Sequence, residues 1–569
     1  MTVSERIIGG PGHRTMPLPV RPAYGLAELL PRREDGLSYR VPGEMGRELA
    51  AAFEGAFSLL TRAHGALEVK APSTILTPRW HGVVHHLVRR GLARRLVLSL
   101  PLEKGLPLYY FDISSPFLAH RTDAGQPAAP RFSRGFSEDY DHALAKVVGE
   151  CLERTTLLYF RMADLVRGSP RSLQHAGMRF LPPEQLTVFA PWQIELRPEL
   201  RFDEDSIFAW VPCTSLLSSE TALVPAQLIY WTYPVAFGDA PEPLLRELNT
   251  NGAGGFYSIE GAILSGLLEC VQRDGFFRHW LRRMPPPRID PAGIRQERTK
   301  RLIAEGRDAG LATLFFDITS ELGVPTCLCV LVRQDDELPH ITMGASCRLD
   351  GETALHDALL EAASVHHVMA QEPQRFRLSD DYEPFTDPTL STMQRLAFWA
   401  NPEHRGHLDA FLNGGAESVS TFCRGLAPPK DARSGLRRVV DVLRRHGLDA
   451  YYFQAQHPVL DELGYATARV VVPGLVPMYC EERNAPLGLP RLGLGASPGD
   501  WPPWPHPFRD PDRQFKAGAS THGEWLASDP ASGKVTASTT GPCASAPESG
   551  GGAGASTIGE GWASEPASR

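Results

Sequence analysis

Two short phrases hold the residue types best suited to chemistry. Glu150-Cys151-Leu152-Glu153-Arg154 and Glu269-Cys270-Val271-Gln272-Arg273 follow one pattern: Glu, Cys, an apolar residue, Glu or Gln, then Arg. In both, an Ala lies seven residues before the first Glu, at Ala143 and Ala262, and a third stretch repeats that spacing from Ala354 to Glu361. Carboxylates brought together repel unless a cation stands between them, and an all-oxygen ligand set favours a hard ion such as magnesium. The plainer chemistry is a solvated ion pair. Glu150 and Arg154 are four apart, and such a pair adds only about 0.2–0.5 kcal/mol to an exposed helix. The matched Cys, the matched Ala and the third partial copy favour cation binding, but they do not name the ligand.

Helices must position these acids. Seven residues is nearly two helical turns, so each Ala shares a face with its Glu. Leu144, Val147, Val148, Cys151 and Leu152 form an adjoining apolar stripe in the first copy, as do Ile263, Leu267, Leu268, Cys270 and Val271 in the second. Close packing of three such small-residue stripes would aim Glu150, Glu269 and Glu361 at one point. The first helix is approached through Ser133-Arg134-Gly135-Phe136-Ser137, with Ser137 expected to start it and Glu138 and Asp139 to complement its dipole. The second is approached through Asn249-Thr250-Asn251-Gly252-Ala253-Gly254-Gly255. Amides and glycines before a helix let backbone N–H groups approach an anion such as phosphate. The stretch is neither a Walker A loop nor a dinucleotide fingerprint, and a simple flexible loop is the other reading.

The rest of the chain, 569 residues in all, sets the frame. A net charge of −8 argues against a nucleic-acid partner. No stretch approaches the apolar run of a membrane helix, and the start, Met1 to Arg6, has no signal-peptide pattern, so a cytoplasmic location is the default. The nine Cys include no Cys-x-x-Cys pair; structural zinc and a disulfide framework are not expected. Cys327 and Cys329 should share a strand face, and the pairs His85-His86 and His366-His367 read as structural or solvated.

Three regions are expected: an N-terminal module over 1–120, a catalytic domain over 121–514 and a low-complexity tail over 515–569. In the module, helices are predicted over 48–62 and 79–92, and strands over 96–100 and 106–111. It suits partner or peptide docking, or a plain structural lobe. Residues 121–130 read as a linker. Strands are predicted at 207–211, 223–226, 311–316, 325–332 and 468–473, with Pro285-Pro286-Pro287 stopping the second helix. Helices and strands mix without strict alternation, which predicts an α+β fold.

Taken together, the segments Gly135 to Arg154, Asn251 to Asp274 and Gly344 to Ala363, with Val470-Val471-Val472-Pro473-Gly474-Leu475, resemble the YcaO family, in particular its azoline-forming cyclodehydratase branch. The resemblance covers roughly residues 120–510. It implies an ATP site built on helix carboxylates: Glu150, Glu153, Glu269 and Glu361 for Mg2+, with Arg134, Arg154, Asn251 and Arg273 contacting ATP. The implied reaction adds a Cys, Ser or Thr side chain of a precursor peptide to the preceding carbonyl, with ATP activating the oxygen that leaves. Such phosphoryl transfer needs positioning and charge more than a protein nucleophile. Pro503-Trp504-Pro505-His506-Pro507 is similar to the branch's alternating-proline motif, which implies that Pro503, Pro505 and Pro507 serve the peptide half-reaction; a polyproline linker has the same spacing.

Four departures from the family pattern stand out. Gln272 replaces a second Glu, Arg134 replaces a Lys before Gly135, Ser364 replaces a Gln, and about fifty residues follow the proline motif. That Ser-, Gly- and Ala-rich tail is predicted disordered and holds an imperfect repeat, 523–532 against 559–568. Between the copies lie Thr539, Thr540, Cys543, Ser545 and Ser549, residue types that a cyclodehydratase modifies, which leaves a linker, a docking tail or a fused substrate-like segment open. The chain has no zinc-binding activating-enzyme-like module, so the resemblance implies a separate leader-peptide-binding partner, a precursor peptide and self-association into a homo-oligomer, with no membrane partner. Two alternatives stay open: a thioamide-forming enzyme, and a degenerate member that binds a peptide or partner without turning over ATP.

Overall fold

The computed structural model describes residues 38–42, 58–63, 66–70 and 78–494, the last with gaps at 94, 100–104, 116–130, 159, 161–163, 231–232, 234–241, 372–391 and 424–427. The expected linker at 121–130, the Pro503–Pro507 motif and the tail over 515–569 lie outside the described residues.

The fold is α+β, with four sheets among the described residues. A small antiparallel sheet has the order β1 (Ser38–Pro42), β3 (Ala66–Lys70), β2 (Ser58–Ala63). The helix predicted over 48–62 is corrected at its end, where Ser58–Ala63 is a strand; residues 48–57 lie outside the described residues. Ser58–Ala63 pairs antiparallel with β3, and this cross-strand pairing outweighs the apolar spacing read as helical. Helix α1 (Pro78–Arg89) follows, then β4 (Arg95–Ser99) and β5 (Tyr109–Ser115). β5 pairs along its length with β6 (Arg131–Ser137), so this sheet extends on both sides of residue 120.

β6 runs directly into α2 (Tyr140–Thr156), which carries the first acidic phrase. The helix cap is Asp139, whose carboxylate accepts from His142 N at 2.7 Å, rather than Ser137. Ser137 is still the last residue of β6, opposite Tyr109, and its hydroxyl accepts from Asp139 N. After β7 (Val166–Gly168), β8 (Phe208–Ser215) and β9 (Thr221–Pro225) comes β10 (Ala253–Phe256), which enters α3 (Ile259–Arg282). Ser258 caps α3 through Gly261 N, and α3 ends in the left-handed Arg283 before the three prolines.

The third unit begins with β11 (Arg288–Asp290), α4 (Glu297–Asp308), β12 (Leu311–Asp317), β13 (Thr326–Arg333) and β14 (Ile341–Cys347), and β14 leads into α5 (Gly351–Gln371). With β15 (Ala416–Ser418) these strands form a sheet ordered β14-β13-β12-β11-β15. α6 (Ala432–Arg445), β16 (Tyr451–Gln454), α7 (Pro458–Leu463) and β17 (Ala466–Val471) follow, and the central sheet runs β10-β17-β16-β8-β7 with β9 beside β8. Cys327 and Cys329 are fully buried on β13, packed with Phe315 and the apolar face of α5. Every described Cys is a free thiol. His86 pairs with Glu462 of α7 at 2.7 Å, and His367 stacks on Tyr110. No described helix is long and apolar enough to cross a membrane.

Candidate functional site

Three strand-to-helix units build the site in the same way. In each, a strand glycine lies against the backbone of the following helix. A Cβ on Gly135 of β6 would sit 2.1 Å from Ala143 O. On Gly254 of β10 it would sit 2.3 Å from Ala262 O, and on Gly344 of β14, 2.1 Å from Ala362 N. Ala143, Ala262 and Ala354 are themselves fully buried. Small residues thus let β6 approach α2, β10 approach α3 and β14 approach α5, and each helix carries its acid two turns past its alanine.

Glu150 and Glu269 have matching surroundings. The Oε2 of Glu150 accepts from the backbone N–H of Arg134, and its Oε1 pairs with Arg154 at 2.6 Å. The Oε2 of Glu269 accepts from Gly252 N at 2.8 Å, and its Oε1 pairs with Arg273 at 3.3 Å. Side-chain exposures of 24–32% across these pairs decide against the plain surface-pair reading. A backbone N–H from the preceding chain fixes each carboxylate, which a surface pair lacks. Gly252 itself has φ +87°, and a Cβ there would lie 2.2 Å from Val470 O, so only glycine fits.

The acids sense one another. Burial first, then the charges of Glu269 and Glu150, push the Glu153 carboxyl up to about 8, against the pull of Arg154 and Arg469. Burial also raises Glu361, with Glu150 adding to the rise and Lys146, Arg273 and Arg348 opposing it. Glu361 is itself exposed to solvent. Glu150, Glu153, Glu269 and Glu361 therefore form one electrostatic cluster. Gln272, at the position matching Glu153, withholds a further negative charge from it.

Donors without acceptors surround the acids. Asn251 is 4% exposed; its Oδ1 accepts from Met478 N at 3.0 Å, and its Nδ2 is buried with no partner. The Nε of Arg273 is likewise buried and unpaired. Arg469, in the middle of β17, is 2% exposed. It donates from Nε to Leu228 O and from Nη2 to Asn249 O at 2.7 Å, while its buried Nη1 has no partner. Burial and the like charge of Arg469 pull neighbouring Arg246 down to about 9. Arg134 departs from expectation: its backbone reaches Glu150, but its guanidinium turns away to Asp112 at 2.8 Å.

Among the described residues, no three metal-ligating side chains stand close enough to hold an ion unaided. A triphosphate alone would face an acidic cluster, and a divalent ion alone would lack a cage. A magnesium–nucleotide satisfies both halves, since Mg2+ takes one or two carboxylates and fills its octahedron with phosphate oxygens and water. Asn251 Nδ2, Arg273 Nε and Arg469 Nη1 could then meet phosphate oxygens. The residues present fit that group.

The sequence pattern missed Arg469, Arg246 and Lys146. Arg469 does leave a trace, as a charged residue inside the apolar strand run Ala468-Arg469-Val470-Val471. Lys146 sits four residues before Glu150, over the Phe136 ring at 4.8 Å, and its charge reaches Glu361. Pro503, Pro505 and Pro507 lie outside the described residues.

Comparison with known proteins agrees with this fold. An uncharacterized protein of Methanothermobacter thermautotrophicus is 27% identical over 303 residues, 52% of this chain and 70% of that protein. Among solved structures, a heterocyclase in complex with substrate and cofactor superposes with a TM-score of 0.57 at 20% identity, over 74% of this chain and 55% of that one. The chain therefore spans about half the length of that heterocyclase. The YcaO from Methanopyrus kandleri bound with AMPPCP and Mg2+ superposes with a TM-score of 0.50 at 18% identity, over 70% of this chain and 90% of that one. The family model described as YcaO cyclodehydratase, ATP- and Mg2+-binding, matches residues 134–476. With that match spanning all three strand-to-helix units, the chain belongs to the YcaO family, whose cofactors are ATP and Mg2+.

Proposed function

We propose that this chain is an ATP-dependent cyclodehydratase that converts Cys, Ser or Thr residues of a ribosomally made precursor peptide to azolines. The observation that carries the reading is the interleaving of an acidic cluster, Glu150, Glu153, Glu269 and Glu361, with the unpartnered donors Asn251 Nδ2 and Arg273 Nε. Acids and phosphate donors brought together suit a phosphoryl-transfer site held by magnesium.

In this reading a peptide thiol or hydroxyl adds to the preceding carbonyl carbon and gives its proton to solvent. ATP supplies the phosphoryl group that makes the resulting oxygen a leaving group. Loss of phosphate and of the amide N–H proton closes the C=N bond of the ring, so the peptide loses one water overall. Glu150 and Glu269, each already fixed by a backbone N–H, are assigned to metal binding together with Glu153 and Glu361. Arg154, Arg273 and Asn251 are assigned to the nucleotide. Arg134 joins them only if its guanidinium leaves Asp112. Pro503, Pro505 and Pro507 are assigned to the peptide half-reaction, the N-terminal module to docking, and leader recognition to a separate partner protein.

Mass spectrometry of the precursor peptide tests this. Incubation with the chain, its partner, ATP and Mg2+ should lower the peptide mass by one water per ring. An oxygen-for-sulfur exchange in the presence of sulfide would favour the thioamide reading instead. An unmodified peptide with no ATP consumed would favour a binding role.

A further inference from the structure

The segment that follows β17 is tied at every second residue to α3, to the Asn251 loop and to Glu247 just before it. Val476 N donates to Asp274 Oδ1 at 3.0 Å, Met478 N to Asn251 Oδ1 at 3.0 Å, and Cys480 N to Glu247 Oε2 at 2.8 Å. Met478 O in return accepts from Asn249 Nδ2 at 2.7 Å. The alternation is that of an extended chain, whose N–H groups point to the same side at every second residue. Arg491, further along, closes the arrangement. Its Nε and Nη2 fork onto Asp274 at 2.6 and 2.7 Å, and Asp274 is fully buried beside Arg273. A third nitrogen of Arg491 pairs with Glu321.

We infer that Arg491 and Asp274 are positioning residues for the nucleotide, acting through residues 476–478 on Asn251. The Met478 N–H occupies the amide oxygen of Asn251, so the amide cannot flip without leaving that N–H unpaired, and Nδ2 is held as the free donor. Asp274 fixes where Met478 lies by holding Val476 two residues before it. Arg491 in turn holds Asp274 with a bidentate fork that Lys cannot reproduce. Neither Arg491 nor Asp274 needs to touch the ligand. This inference rests on the magnesium–nucleotide reading of the site.

The test measures AMPPCP affinity with Mg2+ by calorimetry, and melting temperature in parallel, for the full-length chain and its Arg491→Gln, Arg491→Lys, Asp274→Asn and Glu321→Gln variants. Arg491→Gln and Asp274→Asn should weaken AMPPCP binding by about tenfold or more, the scale of one misplaced hydrogen bond. Arg491→Lys should fall between Arg491→Gln and wild type. Glu321→Gln, which weakens the outer contact of Arg491 and the Arg278 pair but leaves the Asp274 fork, should bind within about twofold of wild type. In turnover, KM for ATP should rise in Arg491→Lys while kcat at saturation is retained, a split that a merely structural clasp would not produce. Near-wild-type affinity in the Arg491 and Asp274 variants, with or without a lower melting temperature, overturns the inference. Wild-type protein that fails to bind AMPPCP overturns the parent reading as well, and the wild-type arm separates the two failures. Should Arg491→Gln not fold, the near-isosteric Asp274→Asn decides.

Discussion

The backbone N–H of Gly252 donates to Oε2 of Glu269 at 2.8 Å, across a separation of seventeen residues. The bond joins the loop before β10 to the middle of α3, and it has a counterpart in Arg134 N and Glu150. Each acid is thus aimed before any ligand arrives, with one oxygen on a backbone N–H and the other beside an arginine four residues on. Glu150→Gln and Glu269→Gln keep the side-chain shape and remove the charge. Each should lower ATP turnover by about a hundredfold or more, the range in which electrostatic groups of a phosphoryl-transfer site act. Circular dichroism and melting temperature should stay close to wild type. Turnover equal to the parent, with peptide and partner present, would reduce the repeated Glu to a helix-surface feature.

The glycine contacts make a stability prediction. Gly254→Ala would place a methyl group 2.3 Å from Ala262 O and should cost about 3 kcal/mol or more, since backbone on both sides must move. Gly323→Ala has φ +69° but nothing within 4 Å of the new carbon, so only the left-handed backbone opposes it, at about 1–2 kcal/mol. Urea denaturation of the two variants measures the difference. Equal costs would mean that β10 does not lie against α3 as closely as described.

Glu153 gives the apo protein a pH signature. Burial and the neighbouring acids raise its carboxyl from an ordinary 4.5 to about 8. A raised folded value favours the protonated form, so its contribution to stability is present below pH 4.5 and is lost as pH rises towards 8. Apo wild type should therefore lose melting temperature across that window relative to Glu153→Gln, and the two curves should run parallel above it. Saturating Mg2+ with AMPPCP should shrink the gap by supplying the missing positive charge. A gap that does not change with pH would contradict the clustering of Glu153 with Glu150 and Glu269.

Truncation separates the two half-reactions. Alternating prolines hold φ near roughly −65° and leave little entropy to lose on meeting a substrate. A chain ending after Pro511 should retain ring formation. One ending before Pro503 should lose the one-water mass decrease while still binding AMPPCP with Mg2+. Full cyclisation by the shorter chain would remove Pro503, Pro505 and Pro507 from the mechanism.

What the sequence made legible follows from local periodicity. The seven-residue step from Ala to Glu is a helix rule, and it located Glu150, Glu269 and Glu361 on α2, α3 and α5. Glu153 and Arg273 came with them because they share those helices. Arg469 escaped because its partners, Leu228 and Asn249, lie more than two hundred residues away, and periodicity says nothing about such contacts. The Asp274–Arg491 fork was hidden for the same reason. At Ser58–Ala63 the apolar spacing suited a helix, but antiparallel pairing with β3 made it a strand. For Arg134 the position was legible and the side-chain direction was not, because Asp112 on the neighbouring strand competes for the guanidinium.

The central claim is that acids and phosphate donors form one site only when magnesium and nucleotide arrive together. Calorimetric titration of AMPPCP into the full-length chain, with Mg2+ and then with excess chelator, tests it most directly. The account predicts clear binding with Mg2+ and a loss of about a hundredfold or more without it, because the acidic cluster would then repel the triphosphate with no metal between them. Equal affinity in both conditions would contradict it.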